Sequence, residues 1–254
     1  MEVPESIAQL REKIQAPRRS VDTWYGRHVM RFFSIYLTRF FIRWNWTPNQ
    51  VTLLSLGIGL VGVYFLACGH WVIGLLGLNL WYLFDHVDGE IARYTGKSSL
   101  SGYFFDTVVN FFVQPLTFLA LGLGLREPIW IMFGFVAMFG CMMLSLIPMC
   151  QDCILLQEYR KRGSVPANVM CESSSASGQP GFLRRLFAFV HYMTTYPVFL
   201  LTVSVACLLF VLPRIVEASF LMNVFLTVYA GAITFVWISQ LVYKILSKQL
   251  DGTL

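Results

Sequence analysis

Six apolar stretches of roughly 20 residues constrain this chain more than any other feature; they run over 49–67, 70–94, 101–124, 127–153, 187–212 and 217–246. An α-helix rises about 1.5 Å per residue, so each stretch is long enough to cross the roughly 30 Å hydrocarbon core of a bilayer. In lipid the backbone must satisfy its own hydrogen bonds, which selects helices for such stretches. Composition agrees: the chain is 56% hydrophobic and 13% charged with a mean hydropathy of +0.62, whereas a soluble domain carries about 25% charged residues. The expected fold class is an all-α membrane protein with six transmembrane helices preceded by an interfacial amphipathic helix. The connections Cys68-Gly69-His70, Arg126-Glu127-Pro128 and Pro213-Arg214 are short, so neighbouring helices should run antiparallel in one bundle. No internal repeat is visible, which argues against an inverted-repeat transporter.

Charge sets the orientation. If the N-terminus is cytoplasmic, 17 of the 19 Lys and Arg residues fall inside and two, Arg126 and Arg214, outside. Positive charge favours the cytoplasmic side, so both termini are expected there. The net charge of +5 then reports topology and not a nucleic-acid partner. The first 30 residues show no apolar core before a small-residue cleavage site, so no signal peptide is expected. Compact size without a targeting signal points to a prokaryotic plasma membrane.

Residues 1–46 form a cytoplasmic N-terminal segment and 47–254 the membrane domain. Within 22–46, Arg27 and Arg31, and Arg39 and Arg43, are spaced i,i+4 so that each pair shares a helical face, with Phe and Tyr on the other. That pattern predicts an amphipathic helix lying in the membrane interface. Thr47-Pro48 supplies a cap and a first-turn proline for the first span. The long polar connection over 154–186 is flanked by Arg160-Lys161-Arg162 and Arg184-Arg185. These basic residues serve topology and headgroup contact, or, for Arg160 and Arg162, point at a phosphorylated substrate. Cys150 and Cys153 form a C-x-x-C with no second ligand pair nearby, so two buried thiols in a helix are expected instead of a metal site.

Chemistry concentrates in residues 85–110, D-H-V-D-G-E-I-A-R-Y-T-G-K-S-S-L-S-G-Y-F-F-D-T-V-V-N. Ionisable residues entering an apolar segment mark a functional site by default. Asp85 and Asp88 are i,i+3 and share a face near the end of the second span, which Ala92 continues. Gly89 leaves room for a ligand against the backbone. Ser98, Ser99 and Ser101 are cap candidates for the third span. On that span Gly102, Asp106 and Asn110 follow at i, i+4 and i+8. Three carboxylates brought together repel one another unless cations intervene. Oxygen-only ligands suit Mg2+ or Mn2+, two ions being the expected number, and paired metals suit displacement at phosphorus. Arg93 offers a phosphate several donors in a planar fork. The structural alternative is an ion-pair network between Arg93 and the acids.

This pattern resembles the signature of the CDP-alcohol phosphatidyltransferase family, D-x2-D-G-x2-A-R-x8-G-x3-D-x3-D, at Asp85, Asp88, Gly89, Ala92, Arg93, Gly102 and Asp106. Thr47-Pro48-Asn49-Gln50-Val51-Thr52 also resembles the opening of that family's first span, and the region beyond 125 resembles it in architecture only. The resemblance implies attack by an acceptor hydroxyl on a phosphorus of a CDP-linked lipid donor, usually CDP-diacylglycerol, with release of CMP. It implies metal ligation by Asp85, Asp88 and Asp106, a cytidine-diphosphate pocket shaped by Gly89, Ala92, Arg93 and Gly102 with Asn49 and Thr52 beside it, and homodimerisation as in many members. The fourth aspartate of the signature, implied to act as general base, is Asn110 here. An amide cannot take up the acceptor's proton, and the site has lost one negative charge. Loss of a general base costs about 10²–10⁴-fold in rate, so a slowed enzyme and a CDP-lipid-binding pseudoenzyme both stand. His86 and Glu90 are the nearest alternative bases, but successive helix residues point about 100° apart, which turns them away from the acids. Asp152, near the end of the fourth span, is either a contact for the acceptor, which would favour an amino or polyol alcohol, or a headgroup-level acid paired with a nearby arginine.

Overall fold

The computed structural model describes residues 6–16, 22–162, 182–211 and 216–246, and every regular element among them is helical. A short α1 (Ile7–Leu10) runs on through a π-type turn (Arg11–Gln15). A second such turn (Gly26–Met30) leads into α2 (Arg31–Arg43). Then come α3 (Pro48–Ala67), α4 (Trp71–Thr95), α5 (Leu100–Gly124) and α6 (Pro128–Arg162). After them follow α7 (Phe182–Met193), α8 (Tyr196–Ala206, extended by a turn to Val211) and α9 (Ala218–Leu246).

Among the described residues four helical stretches are long and apolar enough to cross a membrane: Pro48–Ala67, Leu100–Gly124, Pro128–Ile154 and Ala218–Ile245. A fifth arises only if Arg185–Met193 and Tyr196–Leu209 count as one span, bent by 63°. The continuous helix expected over 187–212 is therefore broken. The Thr194 hydroxyl donates to the His191 carbonyl at 2.8 Å and the Thr195 hydroxyl to the Tyr192 carbonyl at 2.7 Å, closing α7, while Pro197 opens α8 where no N–H is needed. The 25 residues of α4 reach about 37 Å, yet its end carries Asp85, Asp88, Glu90 and Arg93, so it falls outside the clearly apolar set.

Glycines set the packing around the site. A Cβ on Gly62 would lie 2.9 Å from the Leu78 backbone nitrogen, and one on Gly77 only 2.8 Å from the Gly62 Cα. Helices α3 and α4 thus touch backbone to backbone, the contact that small residues permit within lipid. Gly69 at φ +82° and Gly96 at φ +64° turn the chain at the two ends of α4, in a region that residues with a Cβ avoid. The fully buried Trp81, Phe118, Phe199 and Met222 join α4, α5, α8 and α9 into one core.

Helix α2 exposes Phe32, Phe33, Tyr36 and Phe40 and turns Arg31, Ser34, Ile35, Thr38 and Phe41 towards the protein. The arginine face expected of an interfacial helix is thus interrupted at Arg31, which is buried against Asp22 and Glu90. Glu90 is itself fully buried and accepts hydrogen bonds from Gln15 (2.8 Å), Ser34 (2.7 Å) and Thr38 (2.7 Å). A buried carboxylate demands such partners. Nearby, the Tyr25 hydroxyl donates to Asn79 Oδ1, and Asn79 Nδ2 donates to the Ser204 hydroxyl at 2.8 Å. Burial pushes the Tyr25 hydroxyl up to about 12, so it remains a donor at neutral pH.

Candidate active site

Three helix ends meet at the site, and each is set by a local cap. Thr47 and Gln50 form a capping box ahead of Pro48 and start α3. Gly96 closes α4, and Ser99 caps α5 by accepting the Gly102 N–H at 3.0 Å. Of the three expected serines, Ser99 is therefore the cap.

Between these ends lies a cavity of about 250 Å3. Asn49 and Thr52 reach it from α3, Gly89, Ala92 and Arg93 from α4, and Gly102 from α5, with Asp88 and Asp106 in the same wall. All six residues expected to shape a nucleotide pocket thus line one space. Asp88 is buried and accepts from the Thr52 hydroxyl at 2.7 Å; the same hydroxyl lies 3.1 Å from the Pro48 carbonyl oxygen. A Cβ on Gly102 would come within 3.1 Å of the Ser99 hydroxyl oxygen and 3.2 Å of Asn49 Oδ1, and one on Gly89 within 3.3 Å of Arg93 Nη1. Both glycines keep open the space in which a ligand would touch these groups. Arg93 borders the cavity while its Nε donates to the Ile14 carbonyl at 3.0 Å, so the N-terminal segment helps to hold it.

Asn110 stands among the acids. Its Nδ2 donates to Asp85 Oδ1 at 2.8 Å and to Asp106 Oδ1 at 3.0 Å, and its Oδ1 accepts from Gln114 Nε2 at 2.9 Å. That network orients the amide, since ionised carboxylates only accept. Among the described residues no group of three His, Cys, Asp or Glu is arranged to hold a metal ion as it stands. In this arrangement an amide bridges Asp85 and Asp106, and Asp88 accepts from Thr52.

A second cavity of about 500 Å3 opens on the other side of Tyr103, which borders both. Its polar wall comprises Thr107, Asn110, Gln114, Ser145 and Asp152. Pro115 of α5 and Pro148 of α6 also border it, each lacking the N–H its helical position would donate. Asp152 and Asn110, far apart in sequence, thus face one space. The side chains of Arg160 and Arg162 lie outside the described residues, as does most of the polar connection after α6.

His86 and Glu90 point elsewhere. His86 Nδ1 lies 2.9 Å from the Tyr82 carbonyl oxygen, and Glu90 is held by the N-terminal segment. Cys150 and Cys153 are free and exposed, not buried as expected, on a stretch of α6 where Met149, Ile154 and Leu156 are exposed as well. Gln114, Tyr103 and Ser145 were not foreseen. Gln114 continues the series 102, 106, 110 at i+4, a signal that was available; Ser145 had none. The Glu90 network was also unforeseen, although Ser34 and Thr38 at i,i+4 on an apolar face mark it.

A family model described as CDP-alcohol phosphatidyltransferase matches residues 45–240, which includes every residue of both cavities. A bifunctional IPC transferase and DIPP synthase of Thermococcus kodakarensis is 28% identical over 149 residues, 57% of this chain and 34% of that protein. A protein of the same description from Archaeoglobus fulgidus is 33% identical over 132 residues, 51% of this chain and 26% of that protein. An uncharacterized protein of Aquifex aeolicus is 36% identical over 86 residues, 34% of this chain and 44% of that protein. The chain spans less than half the length of each of these relatives.

Proposed function

The chain belongs to the CDP-alcohol phosphatidyltransferase family, and we propose that it transfers a phosphatidyl or related phospho-alcohol group from a CDP-linked lipid to an acceptor hydroxyl, releasing CMP. The observation that carries this reading is the cavity of about 250 Å3 in which Asn49, Thr52, Gly89, Ala92, Arg93 and Gly102 surround two of the acids. In this reading the diphosphate lies against Gly89 and Gly102, where no Cβ intrudes, with the Arg93 guanidinium as its cationic partner. The acceptor enters from the larger cavity and meets Asn110. The amide oxygen has a second lone pair with which to orient the hydroxyl but no capacity for its proton, so the proton passes to a neighbouring carboxylate, Asp85 or Asp106. An O–P bond forms to the acceptor, the P–O bond to the cytidylate breaks, and CMP departs.

The acids suit a hard divalent ion by chemistry, being oxygen donors at one mouth. Asp85, Asp88 and Asp106 would hold Mg2+ or Mn2+, in one or two copies. When bound, the metal would neutralise the diphosphate and stabilise the attacking and leaving oxygens. Asp152, with no Lys or Arg among the described residues lining the larger cavity, favours an amino or polyol acceptor. The distribution of Lys and Arg supports a cytoplasmic position for the site and both termini, with α4 read as a sixth span closed by its charged end.

One observation favours a second reading, a CDP-lipid-binding protein without turnover. Asn110 donates to both Asp85 and Asp106 where the signature has a fourth carboxylate, so the site has one charge fewer with which to hold a cation and no acceptor for a proton at that position. CMP release from CDP-diacylglycerol, measured with Mg2+ or Mn2+ across an acceptor panel, separates the two. Acceptor-dependent release establishes the transferase, and silence with retained CMP binding establishes the binding protein.

A further inference from the structure

The segment ahead of the family-matched stretch carries chemistry that phosphotransfer does not use. The π-type turn after α1 and the start of α2 enclose a cavity of about 660 Å3, whose wall includes Arg11, Gln15, Arg27, His28, Arg31 and Phe32. Arg31 is only 6% exposed, and its Nη1 is buried with no hydrogen-bond acceptor, standing 3.6 Å from Glu90. Arg27 Nε is likewise buried without an acceptor, while its Nη2 donates to the Asp22 carbonyl at 3.2 Å. The Arg11 guanidinium lies 5.5 Å from the centre of the Phe32 ring. Asp22 and Glu90 balance Arg31, but among the described residues neither Arg11 nor Arg27 forms an ion pair. The one acid in the wall, Glu12, is exposed.

Buried charged donors left without acceptors are costly, and native proteins rarely leave them so. Guanidinium forks match phosphate oxygens two at a time. Trp24, Phe32, Phe33 and Tyr36 are exposed around the same segment, as aromatics are at the level of lipid headgroups. We propose that this cavity binds a phosphate group, supplied either by an anionic phospholipid headgroup or by a soluble phosphate ester. The site communicates with the active-site cleft through one short turn. Gln15, in its wall, donates to Glu90 Oε1 and to the Arg31 carbonyl, and the adjacent Ile14 carbonyl accepts from Arg93. An occupant bonded to Arg27 and Arg31 braces that turn.

The test uses the whole chain with saturating CMP, so that phosphate entering the nucleotide pocket is not counted. In detergent, inorganic phosphate and glycerol phosphate are titrated against thermal stability. In phosphatidylcholine nanodiscs with a minor fraction of phosphatidic acid, the retained lipid is counted by native mass spectrometry. Saturable binding is expected in at least one arm, weakened about tenfold by Arg27→Gln and by Arg11→Gln. Arg39→Gln, on the same segment but outside the cavity wall, should change it less than about twofold. Preference for phosphatidic acid with no response to glycerol phosphate names the headgroup as source; saturation by glycerol phosphate without lipid preference names the soluble ester. No saturable binding in either arm, no loss in Arg27→Gln, or an equal loss in Arg39→Gln overturns the proposal.

Discussion

Replacing Asn110 by aspartate perturbs the one position where this chain departs from its family's signature. The wild-type amide gives hydrogen bonds of 2.8 Å to Asp85 and 3.0 Å to Asp106. Each bond to a charged acceptor is worth about 1.5–3 kcal/mol, so Asn110→Asp forfeits about 3–6 kcal/mol before any repulsion is counted. A carboxylate oxygen in the amide's place would also face two others at about 3 Å, on the order of 5 kcal/mol per pair at an effective dielectric near 20. For a chain of this size each kcal/mol moves Tm by about 2–4 °C, so the hydrogen bonds alone predict a fall of at least about 6 °C in EDTA. A dication reverses the balance by turning the new carboxylate into a ligand. Mg2+ at about a hundred times its Kd returns about 2.7 kcal/mol, and the variant should gain more from it than the parent does. Turnover should rise with occupancy, by about 10²–10⁴-fold in acceptor-dependent CMP release if the missing base limits the parent. Thermal melts in EDTA and in Mg2+, run beside the CMP assay, decide the matter. A variant that melts within about 2 °C of the parent in EDTA, and responds to Mg2+ no more than the parent, refutes the bridging role of Asn110.

Other substitutions test the remaining geometry. Glu90→Ala leaves the buried Arg31 with Asp22 as its carboxylate partner and strands the donors of Gln15, Ser34 and Thr38, and should cost about 3–5 kcal/mol, visible as a lowered Tm, while Glu90→Gln, which keeps one acceptor oxygen, should cost less. Gly102→Ala puts a methyl group against Asn49 and should raise the KM for the CDP-linked donor about tenfold, with little change in the melt, since one displaced contact of about 1.4 kcal/mol suffices. Asp152→Asn should shift acceptor preference in the CMP assay while leaving the donor KM alone; an unchanged acceptor ranking removes Asp152 from the acceptor site.

Much of the helical order was legible because each element is specified by its neighbours in sequence. The capping box at Thr47 and Gln50, the proline at 48 and the apolar run after it fall where α3 begins and continues. The series Gly102, Asp106, Asn110 lies along one stretch of α5, and Asp85, Asp88 and Ala92 along α4, as helical spacing requires. What failed depended on partners elsewhere. The expected helix over 187–212 breaks where two threonines bond back to their own turn, a choice that hydropathy alone does not register. Arg31 falls by spacing on the basic face of an interfacial helix and is instead committed to a buried glutamate 59 positions away in the sequence.

The sequence by itself determined that the chain is helical and made for a membrane, and that its chemistry resides in residues 85–110. These are properties of local periodicity, of capping, and of the cost of charge in an apolar run. Only the tertiary structure decided how the three helix ends enclose the smaller cavity, that Asp152 shares the larger one with Asn110, and that Glu90 and Arg93 are held from the N-terminal segment. Those relations follow from where glycine seams let helices touch and from which buried polar groups find acceptors across the bundle, and neither is encoded within a single element.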